Sequence, residues 1–438
     1  MSSILNKKIE FIHHSSFCVS NNDLSLLVDP WISGSVFNWS WDLLSPTNPR
    51  SIKTIDKSKY VWFSHEHPDH FNPKNIIDFL KGKNFLFQKT KDKRVVNFLK
   101  KISSNVYELD SNKDFHINDK FSIRVIPFQD IDSFCLIKVD GITILNLNDC
   151  DIKSEDELLK IKNYSGNIDI LMGQFSYAIG KTNKNQSHLR KIVANEILNN
   201  LSKTISFFKP KYFIPFASFC FFSRFDNFYL NDSINNIDST IKMLKSTNPE
   251  TKFLCFYPGD IWDFHSEWDN TLSIEKYLYD YNKIIPSNCF GEKKIDFETL
   301  LKASINFIKI TKDKNNLFKF YHFFNSKFYN IYFKLTDVNI ILYFDFNNGL
   351  KKIDNINNNN QYCELGSNSL LQLFSSGYGY DALTIGGRFE CDKNGMKALN
   401  KIFKFQTKNY QNEYYKFSSI IPRLLKKLFK YSRVNSNR

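Results

Sequence analysis

The sequence predicts an α/β fold class, divided into a large domain at residues 1–270 and a smaller α+β domain at residues 271–438. Three observations support this prediction. Short apolar strands alternate with tight turns in the first forty residues, and a similar arrangement returns near residue 132. Amphipathic helical patterns lie between the strands. Beyond about residue 264, helical stretches and a hairpin rich in tyrosine and phenylalanine replace that pattern.

The repeated arrangement is a strand, a tight turn and a second strand with an acidic end. In the first copy the strand at Leu24–Val28 ends at Asp29. In the second copy the strand at Ile142–Leu147 ends at Asn148 and Asp149. We therefore expect an internal duplication, with a helix or crossover after each copy.

A histidine-rich loop lies between a buried strand and a helix start. The loop Ser64–His70 follows the apolar run Tyr60–Phe63 and precedes a helix that Asn72 can cap. The whole chain has nine histidines, and three of them lie in this loop. The alternative interpretation is a polar surface loop that is rich in histidine without a ligand. The strand–loop–helix context favours a metal site instead.

The order of side chains in this loop predicts two metal positions. His65 and His67 can turn both rings to one side and share a first metal ion, whereas Asp69 and His70 point to a second. Neutral imidazole and carboxylate suit zinc, iron or manganese, and the loop offers no thiolate of the kind that closed structural zinc sites use. We therefore expect two divalent metal ions as cofactors.

Four motifs in order resemble those of the metallo-β-lactamase superfamily. They are the His13-His14 pair, the Asp29-Pro30-Trp31 strand end, the HxHxDH pattern of His65 to His70, and Asn148-Asp149. The resemblance implies the αββα four-layered sandwich of that superfamily for the large domain.

A closer resemblance covers nearly the whole chain. Five short segments are similar to the metallo-β-lactamase-like part of the CMP-N-acetylneuraminate hydroxylase family: Asp29–Gly34, Asn146–Cys150, Pro210–Phe219, Tyr257–Trp262 and Ile385–Phe389. That family oxidises the N-acetyl group of a sugar nucleotide with electrons from a Rieske centre. A Rieske domain needs Cys-x-His and Cys-x-x-His elements, and no cysteine here has a histidine two or three residues on. A separate electron-transfer protein would have to supply the electrons.

The resemblance also implies further metal ligands. Asp149 fits the acid that bridges two metals in the superfamily. Where a histidine is expected before the second strand pair, the chain has Asp130 and Asp132, and carboxylates there would favour iron. The alternative is that these two acids only cap a turn. Ala217 stands where the superfamily often has a late histidine.

Four residues are candidates for catalysis and substrate binding. Asp69 and Asp149 can ligate metal in either oxidative or hydrolytic chemistry, so we assign them the catalytic role. In relatives a residue at the position of His14 often lines the site. Arg388 could bind a substrate phosphate or carboxylate through bidentate contacts, or form a surface salt bridge.

Composition indicates a globular intracellular protein. Hydrophobic residues make up 42% and charged residues 24% of the chain. The net charge of +14 is dispersed and fits a small anionic substrate better than nucleic acid, for which no binding motif is present. Eight scattered cysteines without a CxxC pair, and the lack of an apolar N-terminal run, favour the cytoplasm. The basic amphipathic tail at 420–430 is expected to dock on protein and not on a membrane.

We expect a dinuclear-iron hydroxylase of a sugar nucleotide or glycan precursor. The missing Rieske elements leave open a zinc-dependent hydrolase of a phosphodiester or amide. The two missing histidines leave open a binding protein that has kept the loop and lost turnover.

Overall fold

The structure is a computed structural model, which describes residues 7–129, 131–177, 180–287, 293–316, 329–356 and 361–414. The predicted ligand Asp130 and the basic tail at 420–430 lie outside these residues. The chain divides into two compact units. The first comprises Met1–Ala178 and Gln186–Ser287, and the second comprises Ile179–Asn185 and Asn288–Arg438.

This division differs from the predicted boundary at residue 270. The helix Thr271–Lys283 belongs to the first unit. Its Tyr277 is fully buried and stacks on Phe219, with 4.3 Å between the ring centroids. The apolar face of this helix is therefore part of the first unit's core, although in the sequence it follows the change of pattern near residue 264.

The described part of the first unit contains two seven-stranded sheets and a two-stranded ribbon. Its strands are β1 (Lys7–His13), β2 (Ser16–Asn21), β3 (Leu24–Val28), β4 (Trp41–Leu43), β5 (Tyr60–Phe63), β6 (Asn84–Gln88), β7 (Val106–Leu109), β8 (Phe115–Asn118), β9 (Phe121–Phe128), β10 (Asp132–Val139), β11 (Ile142–Asn146), β12 (Ile170–Gln174), β13 (Tyr212–Phe216), β14 (Cys220–Phe222), β15 (Lys252–Phe253) and β16 (Ile261–Trp262). Its helices are α1 (Pro49–Lys57), α2 (Pro73–Phe79), α3 (Arg94–Leu99), α4 (Glu155–Ser165), α5 (Ser187–Phe208), a 3₁₀ helix (Phe228–Ser233), α6 (Ile237–Thr247) and α7 (Thr271–Lys283).

The two large sheets share one plan. The first has the order β16-β1-β2-β3-β5-β6-β7 and the second the order β15-β13-β12-β11-β10-β9-β8. In each, an antiparallel hairpin leads into parallel strands: β2–β3 before β5, and β10–β11 before β12. The second hairpin turns at Asp140 and Gly141, which both have positive φ, as a tight hairpin requires. This arrangement is what the predicted duplication implies.

Four layers result from the packing of these elements. Phe17, Val19 and Val28 of the first sheet share a core with Ile123 and Ile137 of the second. The opposite face of the first sheet packs under α1–α3, and the same large core extends to α4, α5 and α6 on the second sheet. The predicted αββα sandwich is confirmed.

The second unit combines helices with a five-stranded sheet in the order β19-β18-β17-β20-β21. Its elements are α8 (Phe297–Lys314), β17 (Asn330–Leu335), β18 (Ile340–Asp345), β19 (Gly349–Ile353), β20 (Tyr362–Leu365), α9 (Ser367–Ser375), α10 (Gly379–Gly386), β21 (Phe389–Cys391) and α11 (Lys393–Tyr410). Its separate core includes Phe307, Phe344, Phe374 and Phe403, whose rings contact one another. Among the described residues, no helix is long and apolar enough to cross a membrane.

Candidate metal centre

The predicted ligands lie on loops at one end of the sandwich. Asp29 and the histidine loop follow the adjacent parallel strands β3 and β5, so both lie at the carboxyl ends of their strands. Asp149 follows β11, and Asp132 begins β10, which runs antiparallel to β11. A hydrogen bond of 2.5 Å from the Ser133 hydroxyl to the Ser64 carbonyl joins the two sheets at this end.

The histidine loop is held by its flanking elements. The Asn72 side chain accepts a hydrogen bond from the Asn75 amide and begins α2, with Pro73 at the first helical position. Within the loop, the amides of His70 and Phe71 both donate to the carbonyl of His67, at 3.0 and 2.7 Å. This tight turn places His65, Asp69 and His70 close together without regular secondary structure.

Six side chains form two groups in which one ligand atom of each lies within 4.8 Å of the others. The buried group is His14, Asp69 and His70, and the open group is His65, His67 and Asp149.

The buried group converges on one carboxylate oxygen. Asp69 Oδ2 lies 3.4 Å from His14 Nε2 and 3.3 Å from His70 Nε2. All three side chains are almost completely buried. The group is therefore a compact N₂O donor set shielded from water.

Asp149 connects the two groups. Its Oδ2 lies 3.1 Å from His70 Nε2 and 3.8 Å from His65 Nε2. Asp132 lies at the start of β10, and its Oδ1 is also 3.8 Å from His65 Nε2 in the open group. The side chains of Asp132 and Asp149 are 23% and 26% exposed, so the open group faces solvent on the side of these two acids.

A fully buried acid, Asp29, orients the ring of His70. Its carboxylate accepts hydrogen bonds from the Ser64 amide at 2.8 Å, the Ser64 hydroxyl at 2.7 Å and His70 Nδ1 at 3.0 Å, and also from the Asn148 side chain. Since the Ser64 hydroxyl proton goes to Asp29, its oxygen accepts from His65 Nδ1 at 2.9 Å. Both rings are thereby fixed with Nε2 facing the carboxylates, which is the usual support of a metal-ligating histidine.

The electrostatics of the two groups differ. Burial and the neighbouring His70 lower the pKa of His65 to about 4, and burial and His65 do the same for His67. Burial also acts to lower the pKa of His70, but the carboxylates of Asp149 and Asp69 outweigh it and hold that pKa well above the ordinary value. In the metal-free chain at neutral pH, the rings of His65 and His67 are therefore neutral, and the ring of His70 is doubly protonated and positively charged.

Burial and neighbouring charges also shift the pKa values of the carboxyl groups. Burial acts to raise the pKa values of Asp69 and Asp149, but the charge on His70 lowers both. Burial and the Asp149 carboxylate raise the pKa of Asp132 to about 6. The site thus concentrates three carboxyl groups beside four imidazoles.

These residues fit a metal pair. Three buried ligand atoms of these residues have no hydrogen-bond partner: His65 Nε2, Asp69 Oδ1 and Asp149 Oδ1. Buried polar atoms are normally satisfied, and leaving several unsatisfied in one place is costly unless something else binds them. Metal ions held by these residues would satisfy such atoms.

The structure places most predicted site residues together. His65 and His67 share one group and Asp69 and His70 the other, as the loop pattern predicts, while their binding of metal stays a prediction. The resemblance implied a substrate-binding role for His14, but its ring nitrogen lies beside Asp69 in the buried group. Arg388 lies in the second unit, directly before β21, and is only 7% exposed.

Sequence reasoning missed Asp29 and Ser64 as supports of the histidines. The available signal was an acid at the end of a buried strand, where a charged side chain must find partners. The expected late histidine is indeed replaced by Ala217, whose amide donates to the His14 carbonyl at 2.9 Å. The backbone at that position thus holds the turn that carries His14.

Comparisons with known proteins identify similar sequences and folds. The family model described as the beta-lactamase superfamily domain matches residues 8–174. Cytidine monophosphate-N-acetylneuraminic acid hydroxylase of Danio rerio is 21% identical over 231 residues, which are 48% of this chain and 38% of that protein. A metal-dependent hydrolase of Pyrobaculum neutrophilum is 32% identical over 75 residues, which are 17% of this chain and 28% of that protein.

The matched residues thus span 38% and 28% of the lengths of these two relatives. Among solved structures, the diiron β-hydroxylase CmlA of Streptomyces venezuelae is similar with a TM-score of 0.41 and 12% identity, over 59% of this chain and 54% of that chain. The family-model match confirms the predicted superfamily for residues 8–174, and together with the sequence relatives it supports the prediction of an enzyme of the metallo-β-lactamase fold. The sequence relatives include a hydroxylase and a hydrolase, so they do not distinguish the two reactions.

Proposed function

Because residues 8–174 form a β-lactamase superfamily domain, we propose that this protein is a dinuclear-iron hydroxylase acting on a sugar nucleotide or a related glycan precursor, with electrons from a separate donor protein. The observation that carries the proposal is the position of Asp132 beside His65, where the superfamily pattern calls for a third imidazole.

The donor set supports iron. His65 and His67 would hold one ion together with Asp149 and Asp132. In the same way, His14 and His70 would hold the other with Asp69 and the shared Asp149. Two histidines with one or more carboxylates and open positions are typical of non-haem iron oxygenases. Iron bound there would supply dioxygen activation, with the overall conversion of C–H, O₂, two electrons and two protons to C–OH and water.

The residues of the chain have separable roles in this reaction. Asp29 and Ser64 keep the rings of His70 and His65 in one orientation. The buried group excludes water from one side of the centre, so substrate approaches past the partly exposed carboxylates of Asp132 and Asp149. With a pKa near 6 in the metal-free chain, the Asp132 carboxylate can take up or release a proton close to neutral pH.

Substrate and partner follow from weaker observations. The similarity to a sugar-nucleotide hydroxylase over 48% of the chain and the net charge of +14 support an anionic sugar nucleotide. The role of Arg388 in binding a phosphate or carboxylate group stays a prediction. We propose that the electrons come from a donor outside residues 1–438, because no Cys-x-His or Cys-x-x-His element occurs among them. A cytoplasmic location stays a prediction.

A hydrolase is the second candidate, and the position of Asp149 between the two groups favours it. A shared carboxylate also suits a zinc pair, and one sequence relative is a metal-dependent hydrolase. If the protein is a hydrolase, the same residues would hold zinc, and the carboxylate of Asp132 would offset part of the positive charge of the ion in the open group.

Metal analysis combined with product analysis separates these functions. Protein purified without added metal should contain about two irons per chain, and after chemical reduction and exposure to O₂ it should add one oxygen atom to a sugar nucleotide, detected by mass spectrometry. The control variant is Asp151→Asn. Asp151 lies two residues beyond Asp149, is 25% exposed and pairs with Lys153. Zinc with activity on a chromogenic phosphodiester would replace the hydroxylase by the hydrolase. Sub-stoichiometric metal, with no effect of His67→Ala, would contradict both enzymes and favour a binding protein.

A further inference from the structure

A strained turn lies beside the histidine loop. Phe37, Asn38 and Trp39 have φ of 50°, 55° and 64°, so three consecutive residues other than glycine adopt the left-handed helical conformation. The Ser40 amide closes this turn on the Val36 carbonyl at 2.9 Å. Such conformations persist only where the surroundings enforce them, and they concentrate at functional sites.

A buried arginine enforces this turn. Arg224 is 7% exposed, and its Nε donates a hydrogen bond to the Trp39 carbonyl. Its terminal nitrogens donate to Ser35 Oγ at 2.7 Å, to Asp42 Oδ1 at 3.2 Å and to the Ser287 hydroxyl. The guanidinium therefore fixes the loop on both sides of the turn, and the strain cannot relax locally.

The turn separates a buried ring from an exposed one. The Phe37 ring is buried against Trp41 and lies 5.9 Å, centroid to centroid, from the ring of His67 in the open group. Trp39 is 41% exposed. All six tryptophans lie among the described residues, and Trp39 is the most exposed of them.

Chain geometry limits how far Trp39 lies from the metal centre. Two trans peptide bonds span at most about 7.6 Å between Cα atoms, so the backbone of Trp39 lies within that distance of Phe37. On the scale of a sugar nucleotide, the backbone of Trp39 therefore lies near the open group.

We propose that Trp39 is a substrate-binding residue that stacks on the flat ring of a nucleobase. This inference rests on the proposed function, because it assigns a part of the sugar nucleotide to a residue outside the metal groups. An exposed indole on a rigid support gives stacking energy at little cost in conformational entropy. The Arg224 clamp and the left-handed turn supply that support. The face of a pyranose is the other flat surface that the indole could bind.

Binding measurements test this assignment. Calorimetry on the metal-loaded full chain would use cytidine, uridine, adenosine and guanosine monophosphates, with free N-acetylglucosamine as the sugar arm. We expect Trp39→Ala to weaken nucleotide binding at least tenfold, and Trp39→Phe to restore most of it. The control is Tyr107→Ala, since Tyr107 is 39% exposed and lies on β7, the edge strand of the first sheet. That variant should bind as the parent does.

Equal nucleotide binding by Trp39→Ala and the parent would overturn the assignment, as would a parent chain that binds none of the nucleotides. Binding of the free sugar alone, lost in Trp39→Ala, would overturn the nucleobase assignment. Metal content and oxygen insertion are measured separately on the same protein. A zinc hydrolase whose nucleotide binding depends on Trp39 would contradict the hydroxylase and leave this assignment standing.

Discussion

The buried group and the open group use the same kinds of ligand atom in different surroundings. His14, Asp69 and His70 are almost entirely enclosed, whereas the open group borders solvent through Asp149 and its neighbour Asp132. Asp29 ties His70 to the ends of two strands, and only the Ser64 hydroxyl links that support to His65.

This difference separates holding a metal from using one. An enclosed group with an oriented imidazole binds an ion firmly but leaves little room for substrate. A group with exposed carboxylates and neutral imidazoles keeps positions available for chemistry. We therefore expect the buried group to anchor one ion and the open group to be the place of reaction.

Loss of the shared carboxylate should have the largest effect. Asp149→Ala removes the acid that lies between the groups, so both ions should be lost and activity should fall below detection. Metal content by plasma mass spectrometry checks this. Asp151→Ala is the matched control and should keep both ions. If Asp149→Ala retained two ions, Asp149 would not be needed as a ligand of either group.

Single histidine variants should separate the groups. His14→Ala should remove the ion of the buried group and His67→Ala that of the open group, so each should lower the content from about two ions to about one. Crystals of the two variants would show which position is empty. Loss of both ions from His14→Ala, with its fold intact by circular dichroism, would mean that the groups are not independent.

A smaller effect is expected from the support of His70. Asp29→Asn removes the charge that His70 Nδ1 faces, so the affinity of the buried group should fall about 10–100-fold. Competition with a chelator measures the affinity. Asp260→Asn is the control, because Asp260 accepts hydrogen bonds from the Tyr257 amide and the Ser273 hydroxyl away from the ligands. It should lower stability and leave metal affinity unchanged, and an equal loss in both variants would argue against orientation.

The smallest effect concerns protons. Because the pKa of His70 is raised, this ring is protonated near pH 7 in the metal-free chain and must release a proton to bind an ion. Affinity at the buried group should therefore rise as pH increases from 7 to 8. The open group should change little, since the pKa values of His65 and His67 are about 4. Calorimetry of His67→Ala in buffers of different ionisation enthalpy should show about one proton released per ion, and release of none would contradict this picture.

Much of the fold and part of the site could be predicted from local patterns. The two hairpins, the capped helix after the histidine loop and the pairing of ligands within that loop depend on residues close in sequence. His14 could not be assigned to the buried group because the β1–β2 turn meets Asp69 only after the first sheet has formed. Asp29 resembled a simple strand end in the sequence, because its four hydrogen bonds come from the histidine loop and from Asn148 in the loop after β11, which are distant in sequence.

The compact units divide the chain at a different place from the predicted boundary for a similar reason. The change of pattern near residue 264 is real, but Tyr277 completes the first core by stacking on Phe219, a contact with no local signature. Asp132 was named together with Asp130 because the register of the β9–β10 hairpin, which brings Asp132 opposite Phe128, cannot be read from alternation alone.

The dinuclear iron centre can be tested by anomalous diffraction at the iron edge, on crystals of protein purified without added metal. We expect two iron peaks, one in the buried group and one in the open group. Two zinc peaks at the same positions would contradict the iron assignment, and a single peak or none would contradict the dinuclear centre itself.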